Sequence, residues 1–349
     1  MNGLGAVEAV RGLVEGLLGA GAAPPPAPAS PGALAGAAGA ALGRAAGELG
    51  RGARATWRVA VAGRQAAGAE EVPVSMGLEY LLEVAVLSGA MLVVTRAFQA
   101  ASPPLAGLLG IKRPLVRKKF AMALREFVFY GISLYLWWAC LGHHPWLRDN
   151  ASLWAPRATG GRVAVVAAEF RFIYTLELCW YTSGLVSLIV DPKKKDFWEM
   201  AVHHVATIYL LFFSSLHGHF KIGAVVYFLH NVSDPFLNGA KLLNYLDLDG
   251  PCTAAFVGYA LVFAGSRLAY YPWVIYNAEF RGPGFHRGEE NDFDEMVLIR
   301  FLALLFPIHC YWFMLIIKVA YKTLTTGSTG GDNRSDSEDE ADDEAKKER

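Results

Sequence analysis

The sequence predicts an all-α, polytopic membrane bundle of about seven transmembrane helices. Three observations predict it. Hydrophobic side chains make up 54% of the 349 residues and aromatic ones 12%, and mean hydropathy is positive, an unusual balance for a soluble enzyme. Apolar runs of about 20 residues, the length a bilayer demands of a helix, recur at 77–97, 122–142, 165–190, 198–217, 222–246, 253–278 and 297–321. These runs also lack the continuous polar face that a helix of a large soluble protein keeps.

Residues 1–75 are rich in Ala, Gly and Pro, with a proline run at Pro24–Pro26. Composition of this kind predicts a low-complexity, disordered region without a packed core. Glu8, Arg11 and Glu15 interrupt the mildly apolar start, so no secretory signal is expected there, and the acids also argue against an organelle transit peptide. Residues 76–111 read as a first membrane helix, its apolar run interrupted by Glu79 and Glu83, followed by a cytosolic linker. Residues 112–325 hold the other six spans. Residues 326–349 form an acidic tail, and a block of like charge predicts a solvated, disordered segment. Cys140, Cys179, Cys252 and Cys310 all sit in or beside apolar runs without CxxC pairing, which predicts core packing.

Basic residues set the orientation. Lys112, Arg113, Arg117, Lys118 and Lys119 crowd the first interhelical loop, and Lys193, Lys194 and Lys195 the loop between the third and fourth helices. Both loops lie on one side, which the positive-inside tendency makes cytosolic. Seven spans then give a luminal N-terminus and a cytosolic C-terminus. Asn150, in Asn150–Ala151–Ser152, becomes a luminal glycosylation acceptor.

Within this apolar background, the stretch 197–245 carries the polar residues that need explaining. The fourth helix holds Glu199 and the adjacent pair His203 and His204; the fifth holds His230, Asn231, Asp234, Asn238 and Lys241 within one arc of roughly 100°. A charged group at the bilayer centre costs roughly 2.5–3.5 kcal/mol on insertion scales, so several together mark a site. Pro235, inside the fifth helix, removes a hydrogen bond to the Asn231 carbonyl and predicts a kink beside Asn231 and Asp234. Glu177 in the third helix and Arg267 in the sixth are lone charges, read as structural ion-pair or cavity-lining groups.

Adjacent histidines on a helix diverge by about 100°, unlike the i, i+3 or i, i+4 spacing of helical metal sites. No metal is therefore expected. Proton transfer or nucleophilic catalysis by imidazole is the chemistry left. Glu199 shares a face with His203 and is expected to orient it as a triad acid does. Lys193, Lys194 and Lys195 lie roughly 12–15 Å before His203 at 1.5 Å per residue, where they can rest a phosphate-bearing substrate or simply set topology.

These residues carry a resemblance. Pro145-Trp146-Leu147-x-Asp149 with Trp154, Tyr174–Leu178 (YTLEL), Lys193–Phe197 (KKKDF), the His203–His204 pair, Leu229–Lys241 (LHNVSDPFLNGAK) and Asp332–Glu338 (DNRSDSE) together resemble the ceramide synthases of the TLC membrane family. The resemblance covers most of 115–340. It implies a six-helix TLC-type catalytic domain over 112–325 preceded by the N-terminal helix. It implies an acyltransferase of the endoplasmic reticulum membrane that moves a fatty acyl group from acyl-CoA to the amine of a long-chain sphingoid base. His203, His204 and Asp234 are the implied catalytic groups, with Glu199, His230, Asn231, Asn238, Lys241, Glu177 and Arg267 binding substrate. Two departures stand out: the family's HDxxDxxLExxK carries Asn231 and Asn238 here, leaving Asp234 as the acid of that stripe.

The expected partners are acyl-CoA, the sphingoid base, membrane lipids and a homo- or heterodimeric companion, with no nucleic acid. No cofactor is expected beyond acyl-CoA as co-substrate. Whether His203 takes the acyl group or only the proton of the amine is left open by the sequence. A non-catalytic TLC protein that binds or senses sphingoid lipids is the alternative from another class; a membrane elongase or hydroxylase is a third. Ser335 and Ser337, each with an acid three residues on, are candidate phosphorylation sites.

Overall fold

The computed structural model describes residues 31–62, 71–73, 78–147, 165–191, 196–216, 218–281 and 292–326. It divides into two compact units, Met1–Gly43 and Arg44–Arg349. Of the first, the described part, 31–43, is the start of helix α1 (Pro31–Ala62). The composition of residues 1–75 predicted disorder, and over 31–62 the structure is helical instead. Alanine has the highest helix propensity of any residue, and it outweighs the interspersed glycines here. In the second unit, the later part of α1 lies so close to residues 168–172 that a Cβ on Gly52 would fall 2.7 Å from Phe172 Cβ.

The second unit is a bundle of α2 (Leu78–Ala101), α3 (Pro103–Leu108), α4 (Pro114–Cys140), α5 (Ala168–Val190), α6 (Phe197–Leu216), α7 (Phe220–Asn231), α8 (Asp234–Tyr245), α9 (Asp249–Phe263), α10 (Tyr271–Arg281) and α11 (Asp292–Thr326). A π-helical segment, Ala264–Tyr270, joins α9 to α10. One departure from an all-α chain is a two-stranded antiparallel ribbon of β1 (Glu71–Pro73) and β2 (Val165–Ala167), pairing Val72 with Val166. The expected third helix therefore begins at Ala168 rather than 165, because the β-branched pair Val165–Val166 is held extended by its partner strand.

Among the described residues, five helical stretches are long and apolar enough to cross a membrane: Tyr80–Leu108, Ala168–Val190, Phe197–Leu216, Asp249–Phe280 and Met296–Lys322. The other two expected spans do not meet that measure unaided. α4 starts at Pro114 rather than 122 and takes in Arg117, Lys118 and Lys119, so the basic cluster lies on a helix and not only in a loop. The expected fifth span is broken into α7 and α8. Outward-facing apolar side chains such as Val93, Val94, Trp138, Ile189, Val190 and Leu261 are exposed, as the lipid-facing side of a multi-pass membrane protein requires and a soluble surface seldom tolerates.

The main core gathers Tyr80 and Val84 of α2, Trp137 and Cys140 of α4, Ile173, Tyr174 and Leu178 of α5, Leu210 and Leu211 of α6, Ala224 and Val225 of α7, Tyr271 and Val274 of α10 and Leu302 and Leu305 of α11. Several of the polar groups buried with it are paired. Trp137 Nε1 donates to the Ala224 carbonyl at 3.0 Å, Tyr271 Oη to that of Leu302 at 2.7 Å, and Arg171 of α5 holds the carboxylate of Glu83 on α2. That last pair explains how the acid Glu83 is accommodated within the first span. The four cysteines are free thiols, three of them buried.

Candidate functional site

The site forms where the fifth expected span breaks. Pro235 has no N–H to give the Asn231 carbonyl and its ring crowds that turn, so α7 stops at Asn231 and α8 restarts at Asp234 with Pro235 in its first turn. The sequence predicted a kink; the structure has two helices. Ser233, fully buried at the break, accepts from the Phe236 and Leu237 amides at 3.1 and 3.3 Å. The break separates the polar stripe into parts with different neighbours.

Asn231, 0% exposed, turns toward α4 and α5. Its Nδ2 donates to Glu177 Oε2 at 3.0 Å and lies 3.1 Å from Ser133 Oγ, while Ser133 Oγ donates to the other Glu177 oxygen. Tyr181 Oη reaches Asn231 Oδ1 at 3.5 Å. Glu177 is thus no isolated acid: its two oxygens are held by two helices.

Asp234 turns the other way, to Arg267 of the π-helical segment, at 3.0 Å. The same guanidinium nitrogen donates to the His230 carbonyl at the end of α7. Arg267 therefore bridges the two sides of the break. An extra residue in a helical turn displaces the ladder of hydrogen bonds, a device frequent at functional sites.

His203 and His204 leave α6 in different directions, their ring centroids 5.8 Å apart and near perpendicular, with the Tyr181 ring 5.9 and 5.7 Å from each. His204 Nδ1 is 2.9 Å from the Met200 carbonyl. A carbonyl only accepts, so Nδ1 carries the proton and Nε2 keeps its lone pair. That Nε2 is directed at α5, where Gly184 leaves room: a Cβ there would lie 2.9 Å from it. His230 is fixed in the same tautomer by the Val226 carbonyl at 2.7 Å, and its ring lies 5.9 Å from that of His203. His203 is buried, and its Nδ1 has no hydrogen-bond partner among the described residues. Glu199, half-buried one turn earlier, does not orient it, which corrects the triad-like expectation: neighbours on one helix face need not touch when the imidazole points into the bundle.

Asn238 Nδ2 donates to the Asp234 carbonyl at 3.0 Å, so its amide serves its own helix. Lys241 is half-buried two turns into α8, near enough for its charge to act on Asp234. Lys193, Lys194, Lys195, Asn150, Ser335 and Ser337 lie outside the described residues.

The structure adds residues that sequence reasoning missed. Ser133 and Tyr181 carried no signal among many similar residues. His309 on α11, 0% exposed, is a lone imidazole in an apolar run, the same cue that singled out Glu177 and Arg267. It lies 4.7 Å from His230 between ring centroids.

A narrow apolar cavity of about 60 Å³ starts at Tyr181 and His230 and continues between α5, α6, α7 and α11 to His219. From His219 to His230 is roughly 16 Å along the helix at 1.5 Å per residue. Leu210, Leu211, Ile222, Val226, Leu302 and Leu305 line it. Gly223 lets Tyr174 approach, since a Cβ there would collide with the Tyr174 hydroxyl. The arrangement places imidazole nitrogens at one end of a hydrocarbon-lined space.

Residues 119–318 match the family described as the TLC domain. The chain is 37% identical over 226 residues to ceramide synthase 4 of Mus musculus, an alignment covering 64% of this chain and 55% of that protein. It is 32% identical over 231 residues to ceramide synthase 4 of Homo sapiens and 31% over 235 residues to ceramide synthase 5 of Homo sapiens, each with 64% of this chain and 55% of the relative covered. The chain spans about half the length of these curated relatives.

Proposed function

The chain belongs to the TLC-domain family, and on that premise we propose that it is a ceramide synthase, transferring a fatty acyl group from acyl-CoA to the amine of a sphingoid base. One observation carries the proposal: the imidazoles of His203, His204 and His230 gather inside the bundle around Tyr181, where the apolar cavity begins. The similarity to named ceramide synthases supports it.

Two routes fit these groups. In one, the unprotonated imidazole nitrogen of His203 attacks the thioester carbon, the C–S bond breaks, and the departing CoA thiolate takes the ring N–H proton of the acyl-imidazolium. The amine of the base then attacks the acyl-imidazole, the new C–N bond forms as the C–N bond to the ring breaks, and His203 leaves carrying the proton of the amine. In the other, His203 accepts the proton of the amine as the amine attacks the thioester directly, and the proton passes to the departing sulfur. General acid–base help of this kind is worth about 10²–10⁴-fold. His204 and His230, each with Nε2 free of a proton, accept from the amine or hydroxyls of the substrate. The Asp234–Arg267 pair and the Glu177–Asn231–Ser133 cluster hold α7 and α8 so that these rings converge.

Acyl-CoA is the co-substrate, with no separate cofactor. Lys193, Lys194 and Lys195 would hold the CoA phosphates, and the apolar cavity would take the acyl chain once its lining moves apart. The protein would reside in the endoplasmic reticulum membrane as a dimer, with a luminal N-terminus, Asn150 glycosylated on the luminal side, and a cytosolic tail phosphorylated at Ser335 and Ser337. The test is to incubate membranes containing the protein with a sphingoid base and a panel of acyl-CoAs. N-acylated base that disappears with His203→Ala supports the proposal; saturable binding of the base without any product would instead leave a lipid-binding protein.

A further inference from the structure

Four aromatic rings close a circuit inside the bundle. The His203 ring lies 5.9 Å from that of His230, His230 lies 4.7 Å from His309, His309 lies 6.3 Å from Trp312, and Trp312 lies 5.1 Å from His203. Every one of them has a buried nitrogen with no hydrogen-bond partner among the described residues: His203 Nδ1, His230 Nε2, Trp312 Nε1 and both nitrogens of His309. His309 and His230 are 0% and 3% exposed. Orphaned buried polar atoms each cost about 1–3 kcal/mol, and here five such atoms share one circuit.

Their chemistry limits what can satisfy them. His230 Nε2 is an acceptor, because Nδ1 spends its proton on the Val226 carbonyl. Trp312 Nε1–H is a donor only, and neutral His309 offers one of each. An ammonium needs acceptors alone and a carboxylate needs donors alone. A hydroxyl both donates and accepts, and it matches this mixed set.

Resting on the acyltransferase reading, we propose that this circuit binds a hydroxyl of the long-chain amino alcohol, with His309 as the specificity residue. A sphingoid base carries hydroxyls on both carbons next to the amine-bearing carbon. The terminal one lies at the polar end of the molecule, within reach of water. The other, on carbon 3, lies between the amine and the hydrocarbon chain and must enter the apolar interior with that chain. The circuit, buried beside the start of the apolar cavity, suits the 3-hydroxyl. His309 comes from α11, a different helix from either half of the histidine pair or the broken span, so it sets which amine is accepted without carrying the reaction.

The experiment compares three amines with one acyl-CoA, using full-length protein: the 2-amino-1,3-diol, its analogue lacking the 1-hydroxyl, and its analogue lacking the 3-hydroxyl. The unaltered protein is expected to favour the diol over the 3-deoxy amine by about tenfold or more in kcat/KM, a hydrogen bond's worth of discrimination. In His309→Leu that preference collapses toward unity through the KM for the amine, while the KM for acyl-CoA stays put. His309→Asn, which keeps a donor and an acceptor, restores part of it. Trp312→Phe, which removes one N–H and little volume, lowers the same ratio and serves if His309→Leu fails to fold. An unchanged ratio in His309→Leu or, if that variant fails to fold, in Trp312→Phe would overturn the proposal. So would a loss equal for all three amines, which would mean the circuit holds solvent only. If the unaltered protein acylates no amine, the acyltransferase reading itself fails. Competition of the 3-deoxy amine against the labelled diol for binding then reads the hydroxyl preference separately, and equal competition overturns the proposal.

Discussion

Asn231 Nδ2 donates to Glu177 Oε2 at 3.0 Å, tying the last residue of α7 to the middle of α5. Both residues are 0% exposed, so the contact holds the end of α7 at a fixed depth. Glu177→Ala would take the acceptor from one Asn231 N–H and from the Ser133 hydroxyl hydrogen, at about 1–3 kcal/mol for each, leaving only their mutual contact. Glu177→Gln keeps a carbonyl oxygen to accept from Asn231, and its NH2 can donate to the Ser133 oxygen once that hydroxyl rotates. Thermal unfolding in detergent should therefore show a large fall in Tm for the alanine variant and a small one for glutamine. Equal falls would mean that the carboxylate charge, not the hydrogen-bond geometry, is what the cluster needs.

The histidine pair divides by role. His203→Ala should lower amide formation by 10²-fold or more, the scale of a lost acid–base or nucleophilic group. His204→Ala should impair turnover but retain acyl-CoA binding. If His203 is the nucleophile, acyl-CoA supplied without an amine leaves a fatty acyl adduct on the peptide Trp198–Thr207, seen by intact mass and peptide mapping. Its absence with full turnover points to direct attack with His203 as base.

Gly184 offers a test of His204 that does not touch His204. A Cβ at that position would sit 2.9 Å from Nε2, and the imidazole must swing off its line to the Met200 carbonyl. Because a side-chain tip can move at low cost, Gly184→Ala should leave Tm nearly unchanged and reduce kcat by about tenfold or more. Unchanged kcat would remove His204 from the reaction.

The Asp234–Arg267 pair is mostly buried, its side chains 16% and 7% exposed. Removing one partner of such a pair strands the other charge and costs about 3–5 kcal/mol. Arg267→Ala should accordingly reduce the yield of folded protein and its Tm. Arg267→Lys should rescue poorly, since a single ammonium on a flexible stem does not reproduce a guanidinium nitrogen set between Asp234 and the His230 carbonyl. Full rescue by lysine would show that charge alone suffices.

The orientation predicts what enzymes can reach from each side of sealed vesicles. A glycan on Asn150 should be removed by endoglycosidase only after the vesicles are opened, and the acidic tail should be cleaved by protease in sealed ones. Phosphate content of the tail should fall in a Ser335→Ala, Ser337→Ala double variant. Protease access to Asn150 from the outside of sealed vesicles would reverse the topology.

The sequence by itself determined the class of the molecule and the stretch that matters. Apolar runs of bilayer length leave few architectures other than a helical membrane protein, because backbone groups in lipid must be satisfied within the segment. Polar residues in such runs are costly enough to be conspicuous, which made His203, His204, His230, Asn231 and Asp234 legible, along with Pro235. The partners of those residues were not legible. A helical wheel treated His230 to Lys241 as one face, yet the break at Pro235 turned Asn231 toward Glu177 and Asp234 toward Arg267. Shared facing suggested Glu199 for His203, while the structure leaves His203 Nδ1 unpaired. His309 joined the site from a helix some eighty residues further along the chain. Periodicity reports which residues of one helix look the same way. Which helices meet there is fixed by packing between segments far apart in sequence, and only the tertiary structure decides it.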